Sequence, residues 1–424
     1  MNVRSMRFGC SECGAGAAAG TLFCAVCGGL LAFTLDPASY DASSLRRTFA
    51  ERRTSNDPLD TSGVWRYREL LPPIDRANVV TLRENDLPLY AAVRGAEYAA
   101  CDRVGYLHLG MNPTASFKDT GMTAAISHAK AAGARVAVCA STGNTAAAMA
   151  AYAARAGIVA LVLVPAIGVS DAKMAQTLDY GATVAAIDGD FDRALEIVRG
   201  LDPARVAIVN SVNPYRIEGQ KCAAFAMLEA RDWNVPDWLV LPGGNLGNTS
   251  AFGKGLREAH ALGLIDRLPR IAVVQASGAA PFARLFREGG DMVPVHAQTT
   301  ATAIKIGAPA SWRKALAEVR ATHGTVLDVS DAEIADARAV IGRDGIGCEP
   351  ASAASLAGLR RLREDGTVGP GDDVVLVLTG HVLKDGAYAT DYHASSAPFA
   401  NRIRHAPSDD ALRALIDEVT TVRA

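Results

Sequence analysis

The sequence predicts a doubly wound α/β fold. Short apolar runs rich in β-branched residues recur through residues 87–395, and Ala-rich segments with helical character lie between most of them. Both faces of these runs are apolar, which is typical of parallel strands buried on both sides. Alternating strands and helices form such sheets, and ligands bind beyond the carboxyl ends of their strands. We therefore expect the functional site at those ends.

The elements of this region alternate regularly along the chain. An apolar run at 104–109 is followed by a helical segment at 121–132. The expected strands are 135–139, 159–164, 183–187, 206–209, 238–241, 271–275 and 374–378. The helices expected between them are 145–156, 192–200, 219–231 and 250–262. This alternation fits repeated strand–helix–strand units.

Three further segments flank the α/β region. Residues 1–35 hold a cluster of cysteines, and residues 36–86 form an Arg-rich extension with little periodicity beyond a helix-like stretch at 65–71. Residues 396–424 form a C-terminal tail that is expected to contain a helix over 409–422. The chain is long enough for more than one domain.

Composition and charge argue against several classes of partner. The formal net charge is −2 and the chain has no strongly basic stripe, which argues against a nucleic-acid partner. The longest apolar runs, such as 158–165, are far shorter than the roughly 20 residues that span a bilayer. The first residues lack the pattern of a signal peptide. The sequence therefore predicts a cytoplasmic protein in a reducing setting.

Four cysteines near the N-terminus form two C-x-x-C pairs separated by a spacer of ten residues: Cys10, Cys13, Cys24 and Cys27. This spacing can place four thiolates tetrahedrally around one zinc ion, and no further ligand is near, so we expect a closed, structural site. Two disulfides or unligated thiols are the alternative. The other cysteines are expected to be small core residues: Cys101, Cys139, Cys222 and Cys348.

Two loops after predicted strands have sequences suited to anions. Residues 140–145 (A-S-T-G-N-T) open a helix, where N–H groups and hydroxyls suit a carboxylate, although ordinary helix capping is the alternative. Residues 242–249 (P-G-G-N-L-G-N-T) let backbone amides approach a phosphate closely. This second loop matches neither the dinucleotide nor the Walker pattern, so neither a dinucleotide nor a triphosphate is indicated.

Two other residues complete a set of groups that fits one cofactor. Lys118 lies where a loop meets a helix, and the helix N-terminus can lower the pKa of its amine so that it attacks a carbonyl. Thr379 follows the strand at 374–378, where its hydroxyl can hydrogen-bond a neutral ring nitrogen; a plain turn is the alternative. Together with the two anion loops, these groups favour pyridoxal 5′-phosphate, which has an aldehyde, a pyridine nitrogen and a phosphate.

An ordered series of motifs between about residue 88 and residue 385 resembles the threonine synthase family. This family belongs to the tryptophan-synthase-β-like, fold type II pyridoxal-phosphate enzymes. The series begins with N-P-T-A-S-F-K-D at 112–119 and S-T-G-N at 141–144. The later motifs occupy 213–221, 244–248, 300–307, 349–354 and 379–385. Because the motifs occur in the family's order, the resemblance is highly specific.

The resemblance implies two doubly wound α/β domains with the cofactor in the cleft between them, in addition to a small zinc-ribbon-like module at 1–35 and an extension at 36–86. The larger domain is expected to combine residues 87–121 and 205–395. The smaller α/β domain is expected to comprise residues 122–204. The resemblance also implies a homodimer.

The resemblance further implies roles for individual residues. Lys118, next to Phe117 in the cofactor site, holds the cofactor covalently, Asn144 contacts its ring hydroxyl and Thr379 faces its pyridine nitrogen. The residues expected to cradle the cofactor phosphate are Gly244, Asn245, Leu246, Gly247 and Asn248. The residues expected to hold the α-carboxylate of a small amino-acid substrate are Ser141, Thr142 and Thr145.

The implied reaction is that of a lyase: γ-elimination of phosphate from O-phospho-L-homoserine and addition of water at Cβ to give L-threonine. An alternative is β-replacement or β-elimination on a serine- or threonine-derived substrate, as in cysteate synthases or dehydratases. It arises because Thr120 stands where family members usually have arginine, and Gly168 stands where many have lysine. These cations would be expected around a substrate phosphate.

Overall fold

The computed structural model describes residues 6–18, 20–84, 89–166, 171–189, 191–202, 205–401 and 403–421. In this part of the chain there are three sheets, of two, six and four strands. The predicted α/β architecture is confirmed. No helix among the described residues is long and apolar enough to cross a membrane.

The strands follow the predicted order, with additional strands at the N-terminus and at the edges of the six-stranded sheet. They are β1 (Met6–Cys10), β2 (Leu31–Leu35), β3 (Leu89–Ala91), β4 (Arg103–His108), β5 (Val136–Ala140), β6 (Val159–Pro165), β7 (Thr183–Ile187), β8 (Ala207–Ile208), β9 (Trp238–Pro242), β10 (Arg270–Ala276), β11 (Thr325–Val329) and β12 (Asp373–Leu378).

The helices cover the sheets and form the N-terminal extension and the tail. They are α1 (Ala42–Arg53), α2 (Pro58–Thr61), α3 (Val93–Ala99), α4 (Lys118–Ala131), α5 (Asn144–Ala156), α6 (Asp171–Asp179), α7 (Phe191–Arg199), α8 (Pro214–Ala230), α9 (Gly247–Ala261), α10 (Pro281–Glu288), α11 (Trp312–Ala321), α12 (Asp331–Arg343), α13 (Pro350–Glu364), α14 (Gly386–Ala394) and α15 (Asp409–Thr421).

The six-stranded sheet has the order β11-β10-β9-β12-β4-β3, and its strands are parallel except for β3, which runs antiparallel to β4. The central strands β9 and β12 are buried along nearly their whole length, as continuous apolar runs require. The carboxyl ends of β4, β9 and β12 therefore meet at one edge of this sheet.

The four-stranded sheet has the order β7-β6-β5-β8 and is entirely parallel. The chain enters it from β4 through α4 and returns to the larger sheet through α8 and β9. The prediction of two buried faces is wrong for β7, which is half-exposed because it is an edge strand. The predicted boundaries of the two domains, at residues 121 and 205, stay predictions.

The N-terminal segments pack onto the larger sheet unit. In the extension, Phe49, Trp65 and Tyr67 are fully buried and belong to the same core as α8, α9 and β9. The cysteine module is built on the antiparallel pair β1–β2. Parts of these segments also contact the smaller sheet unit, since Leu22 and Val80 pack against residues of its strands and helices.

Candidate active site

The loop before α4 is fastened to the end of β12. The backbone N–H of Phe117 donates to the carbonyl of Thr379 at 2.8 Å, and the N–H of His381 donates to the carbonyl of Ala115 at 3.0 Å. Ala115 has a left-handed backbone with φ of 63°, which turns the chain back towards the strand end. Lys118 becomes the first residue of α4 at this point. The two motifs that contain Lys118 and Thr379 thus meet in space.

The environment of Lys118 favours an uncharged amine. Burial and, to a smaller extent, the positive charge of Arg216 lower the pKa of Lys118, the charge of Glu349 opposes them, and the resulting pKa is about 7. Its Nζ lies 4.0 Å from the centroid of the Phe117 ring. A lowered pKa was expected from the helix N-terminus, but burial is the main cause. A large fraction of this amine is therefore available as a base or nucleophile near neutral pH.

The loop after β9 forms a cradle for an anion. A side chain at Gly243 would lie 2.6 Å from Val273, and Leu246 has a left-handed backbone with φ of 63° just before α9. Asn248 Nδ2 and Thr249 Oγ1 are buried and have no hydrogen-bond partner among the described residues. They accompany the first N–H groups of α9, which have no partner within the helix. Unsatisfied donors at a helix N-terminus suit a phosphate.

The side chain of Asn245, which was expected to help hold the cofactor phosphate, instead binds neighbouring parts of the protein. Its Nδ2 donates to Ser211 Oγ at 2.7 Å, and its Oδ1 accepts from the N–H of Ala310 at 2.6 Å. This side chain therefore braces the loop, and the backbone of the loop is left to face an anion. Gly244 packs against Ile304, which belongs to the motif at 300–307.

A buried carboxyl group joins two of the expected cofactor contacts. Asn144 Nδ2 donates to Glu349 Oε2 at 3.0 Å, and Thr379 Oγ1 donates to Glu349 Oε1 at 3.1 Å. Ser352 Oγ also lies 3.1 Å from Thr379 Oγ1. Glu349 is only 4% exposed, and burial raises its pKa. Sequence reasoning did not assign Glu349 a role, although it opens the motif at 349–354.

The remaining predicted substrate residues lie at the carboxyl end of β5. Ser141, Thr142 and Thr145 are all partly exposed, and they flank Asn144 at the start of α5. Ser141 Oγ accepts from the N–H of Gly143 at 3.2 Å. Because Asn144 reaches Glu349 on the larger sheet unit, this loop lies across the cleft from Thr379. The structure thus brings the predicted cofactor and substrate groups to one cleft.

Arg216 is a buried cation that sequence reasoning overlooked. It is 2% exposed, and its Nη1 donates to the carbonyl of Val209 at 3.1 Å. Its Nε has no hydrogen-bond partner in the described part of the chain. Burial lowers its pKa to about 10, so the guanidinium stays charged at neutral pH. A charged group with an unused donor next to Lys118 is suited to a substrate anion.

The two positions where cations were expected contribute none to this geometry. Thr120 is 1% exposed, and its hydroxyl donates to the carbonyl of Phe117 at 2.8 Å, within the first turn of α4. Gly168 lies outside the described residues. One cation that the described cleft does offer near Lys118 is Arg216, from the motif at 213–221; another, Lys384, interacts with Asp119 and Glu349 and donates to Gln176.

The four N-terminal cysteines converge as a metal site requires. Their sulfur atoms all lie within 4.8 Å of one another, and all are free thiols. Backbone N–H groups of Cys13 and Glu12 lower the pKa of Cys10 to about 6, which favours the thiolate that binds metal. The alternative of two disulfides is not adopted. The other four cysteines are buried, as expected.

The sequence is similar to those of known proteins. Residues 80–380 match the family described as pyridoxal-phosphate dependent enzyme. The chain is 43% identical over 382 residues to a threonine synthase of Methanosarcina acetivorans, with 89% of this chain and 91% of the relative covered. It is 47% identical over 361 residues to a threonine synthase of Synechocystis, covering 83% and 91%.

A solved structure supports the fold independently. The crystal structure of threonine synthase from Escherichia coli superposes with a TM-score of 0.66 at 20% sequence identity. The alignment covers 92% of this chain and 89% of the other. At this identity the likeness concerns the fold alone.

Proposed function

This chain belongs to the family of pyridoxal-phosphate dependent enzymes, and we propose that it acts as a threonine synthase, a lyase that converts O-phospho-L-homoserine to L-threonine. One observation carries the proposal. Lys118 begins α4 and the anion cradle at 244–249 begins α9, both beyond the carboxyl ends of strands of the larger sheet, and Arg216 is close enough to Lys118 to lower its pKa. A cofactor phosphate and a substrate phosphate would therefore each have a separate site.

The residues present fit pyridoxal phosphate. The unsatisfied donors of Asn248 and Thr249, with the first N–H groups of α9, would hold its phosphate. Thr379 and Asn144 would contact its ring, and Glu349 would fix the orientation of both side chains. When bound, this cofactor withdraws electrons from the carbon atoms next to the substrate amine, which makes proton removal there accessible.

The protein's own contribution is orientation and proton transfer. Ser141, Thr142 and Thr145 would hold the substrate carboxylate, and Arg216 would hold its phosphate. The uncharged amine of Lys118 would take the proton from Cα and then one proton from Cβ. The C–O bond at Cγ would then break, phosphate would leave with both bonding electrons, and a proton would be delivered to Cγ to give the methyl group. Water would add its OH at Cβ while a proton returns to Cα, which completes threonine, and the cleft would keep the reacting atoms aligned.

The alternative is a β-replacement or β-elimination on a serine- or threonine-derived substrate, which Thr120 favours because it removes the arginine usual in the family. Arg216 weighs against this alternative for substrates without a phosphate, such as serine and threonine, but not for O-phosphoserine. A buried guanidinium with a free donor would leave a charge unused if the substrate carried no anion beyond its carboxylate.

Four substrates separate the two functions: O-phosphohomoserine, O-phosphoserine, serine and threonine, each given to the purified holoenzyme. We expect phosphate and threonine in equal amounts from O-phosphohomoserine only. Phosphate release and amino-acid products measured over time provide the test. Faster ammonia release from serine or threonine, or phosphate release mainly from O-phosphoserine, would establish the alternative instead.

We also propose that the four clustered cysteines hold a structural zinc ion. We expect about one zinc per chain in the purified protein. Cys10→Ser should lose this zinc, because a structural zinc site of this kind needs all four thiolate ligands. Metal analysis measures this directly. Cys101→Ser is the matched control, since Cys101 is also buried but lies outside the cluster, and it should keep its zinc. Parent protein without zinc would refute the site.

The remaining assignments are proposals of broader scope. A cytoplasmic, reducing location is supported by the eight cysteines, all of which are free thiols. The amino-acid substrate is the one partner that the cleft itself indicates. The homodimer stays a prediction.

A further inference from the structure

The aromatic ring of Tyr215 contacts both the cysteine module and α4, the helix that begins at Lys118. Phe33, on β2 of the module, packs against Tyr215 with the ring centroids 5.0 Å apart. The ring of Tyr215 also stacks on that of His128 of α4, with the centroids 4.1 Å apart. Tyr215 is in the first turn of α8 and immediately precedes Arg216. Its position is thus clamped between the module and the helix that begins at Lys118.

The backbone of Phe33 makes a second connection to the same turn. Its carbonyl accepts a hydrogen bond from Lys254 Nζ at 2.6 Å. The same Nζ forms a buried ion pair with Glu218 of α8, which lies two residues after Arg216. Phe33 is therefore linked to residues on both sides of Arg216: its ring contacts Tyr215, and its carbonyl is connected through Lys254 to Glu218.

The turn that carries Arg216 is also tightly packed against α4. A side chain at Gly219 would lie 2.0 Å from the carbonyl oxygen of Thr120, and one at Gly121 would lie 3.0 Å from the carbonyl oxygen of Arg216. Helices in such close contact cannot slide without separating. A displacement of the first turn of α8 would therefore move Arg216 directly, whereas it would affect Lys118 only through the contact between α8 and α4.

From these contacts we propose that Phe33 is a positioning residue for Arg216, so that the N-terminal cysteine module sets the affinity of the active site for the substrate phosphate. The inference rests on the proposed function, in which Arg216 binds that phosphate. Its own physical basis is that, among the described residues, the Arg216 guanidinium donates to the carbonyl of Val209 and keeps an unused Nε, so the place of this donor depends on the position of the helix turn that carries it.

The test measures binding of inorganic phosphate to the holoenzyme, in which the cofactor already fills its own phosphate cradle. Phe33→Leu removes the ring contact and keeps an apolar side chain. We expect phosphate to bind about 3- to 10-fold more weakly, the range that the loss of one aromatic pair allows. Tyr215→Leu should have the same effect from the other side of the contact, whereas Tyr215→Phe, which keeps the ring, should bind phosphate as the parent does.

The matched control is Phe8→Leu. Phe8 stacks on Phe33 at 4.5 Å within the module but has no ring contact with Tyr215. Phe8→Leu removes an aromatic ring from the module but keeps the contact between Phe33 and Tyr215, so phosphate should bind clearly more tightly than in Phe33→Leu, and the cofactor spectrum should stay that of the parent. Equal weakening by Phe8→Leu, or parent-like affinity in Phe33→Leu, would overturn the inference.

One further variant separates this inference from the proposed function. Arg216→Met should abolish phosphate binding to the holoenzyme. If it does and Phe33→Leu has no effect, the role of Phe33 is wrong while the proposed function stands. If Arg216→Met binds phosphate normally, the assignment of Arg216 itself fails.

Discussion

Lys118→Ala should give a folded protein that forms no threonine and lacks the visible absorbance of a covalently held cofactor. The amine of Lys118 is the group that would bind the cofactor aldehyde and then move the substrate protons. Loss of proton transfer alone costs about 10²- to 10⁴-fold in rate, and loss of the covalent bond adds to this. The visible spectrum and the rate of phosphate release measure the two effects separately.

The matched control is Lys130→Ala. Lys130 lies on the same helix, near its C-terminal end, and its Nζ donates to the carbonyl of Ala77. It should keep both the visible band and the activity. A visible band that persists in Lys118→Ala would show that another lysine holds the cofactor.

Arg216→Met should raise KM for O-phosphohomoserine while the cofactor spectrum stays that of the parent. A hydrogen bond to a charged group contributes about 1.5–3 kcal/mol, which corresponds to about 10- to 150-fold in affinity. The affinity for serine, which has no phosphate for the guanidinium to bind, should stay unchanged. Steady-state kinetics with O-phosphohomoserine and a binding titration with serine, followed by the cofactor spectrum, make the comparison.

Arg338→Met controls for the loss of a buried arginine as such. Arg338 lies on α12, is also buried, and donates from Nε to the carbonyl of Cys348. It should lower the thermal unfolding temperature without changing KM for the phosphorylated substrate. A similar rise in KM for both variants would mean that Arg216 acts through stability and not through contact with phosphate.

The centre of the fold was predictable because its strands are buried on both sides. Strands β9 and β12 differ from the predicted runs by a single residue each, since neighbours on both faces require an unbroken apolar sequence. β11 (Thr325–Val329) was missed because it lies at the sheet edge and is only partly buried. Helix α8 begins at Pro214, five residues earlier than expected, because Asn213 caps it and proline is well suited to the first turn.

The active site was predictable where function depends on local sequence. The glycines of the cradle and the loop that ends at Lys118 are contiguous motifs, so the sequence alone could indicate their chemistry. Glu349 could not be placed in this way, because its contact with Asn144 joins residues 205 positions apart. Likewise, the unused donor of Arg216 is a property of its buried surroundings and leaves no trace in its neighbours along the chain.

Glu349 binds one side chain from each side of the cleft, since Asn144 begins α5 beside the smaller sheet and Thr379 ends β12 in the larger one. Glu349 is therefore one link between the two sheet units, in addition to the one that Gln176 of α6 forms with Thr114 and Lys384. A relative movement of the two sheets would displace Asn144 and Thr379 together, and with them both of the proposed contacts to the cofactor ring.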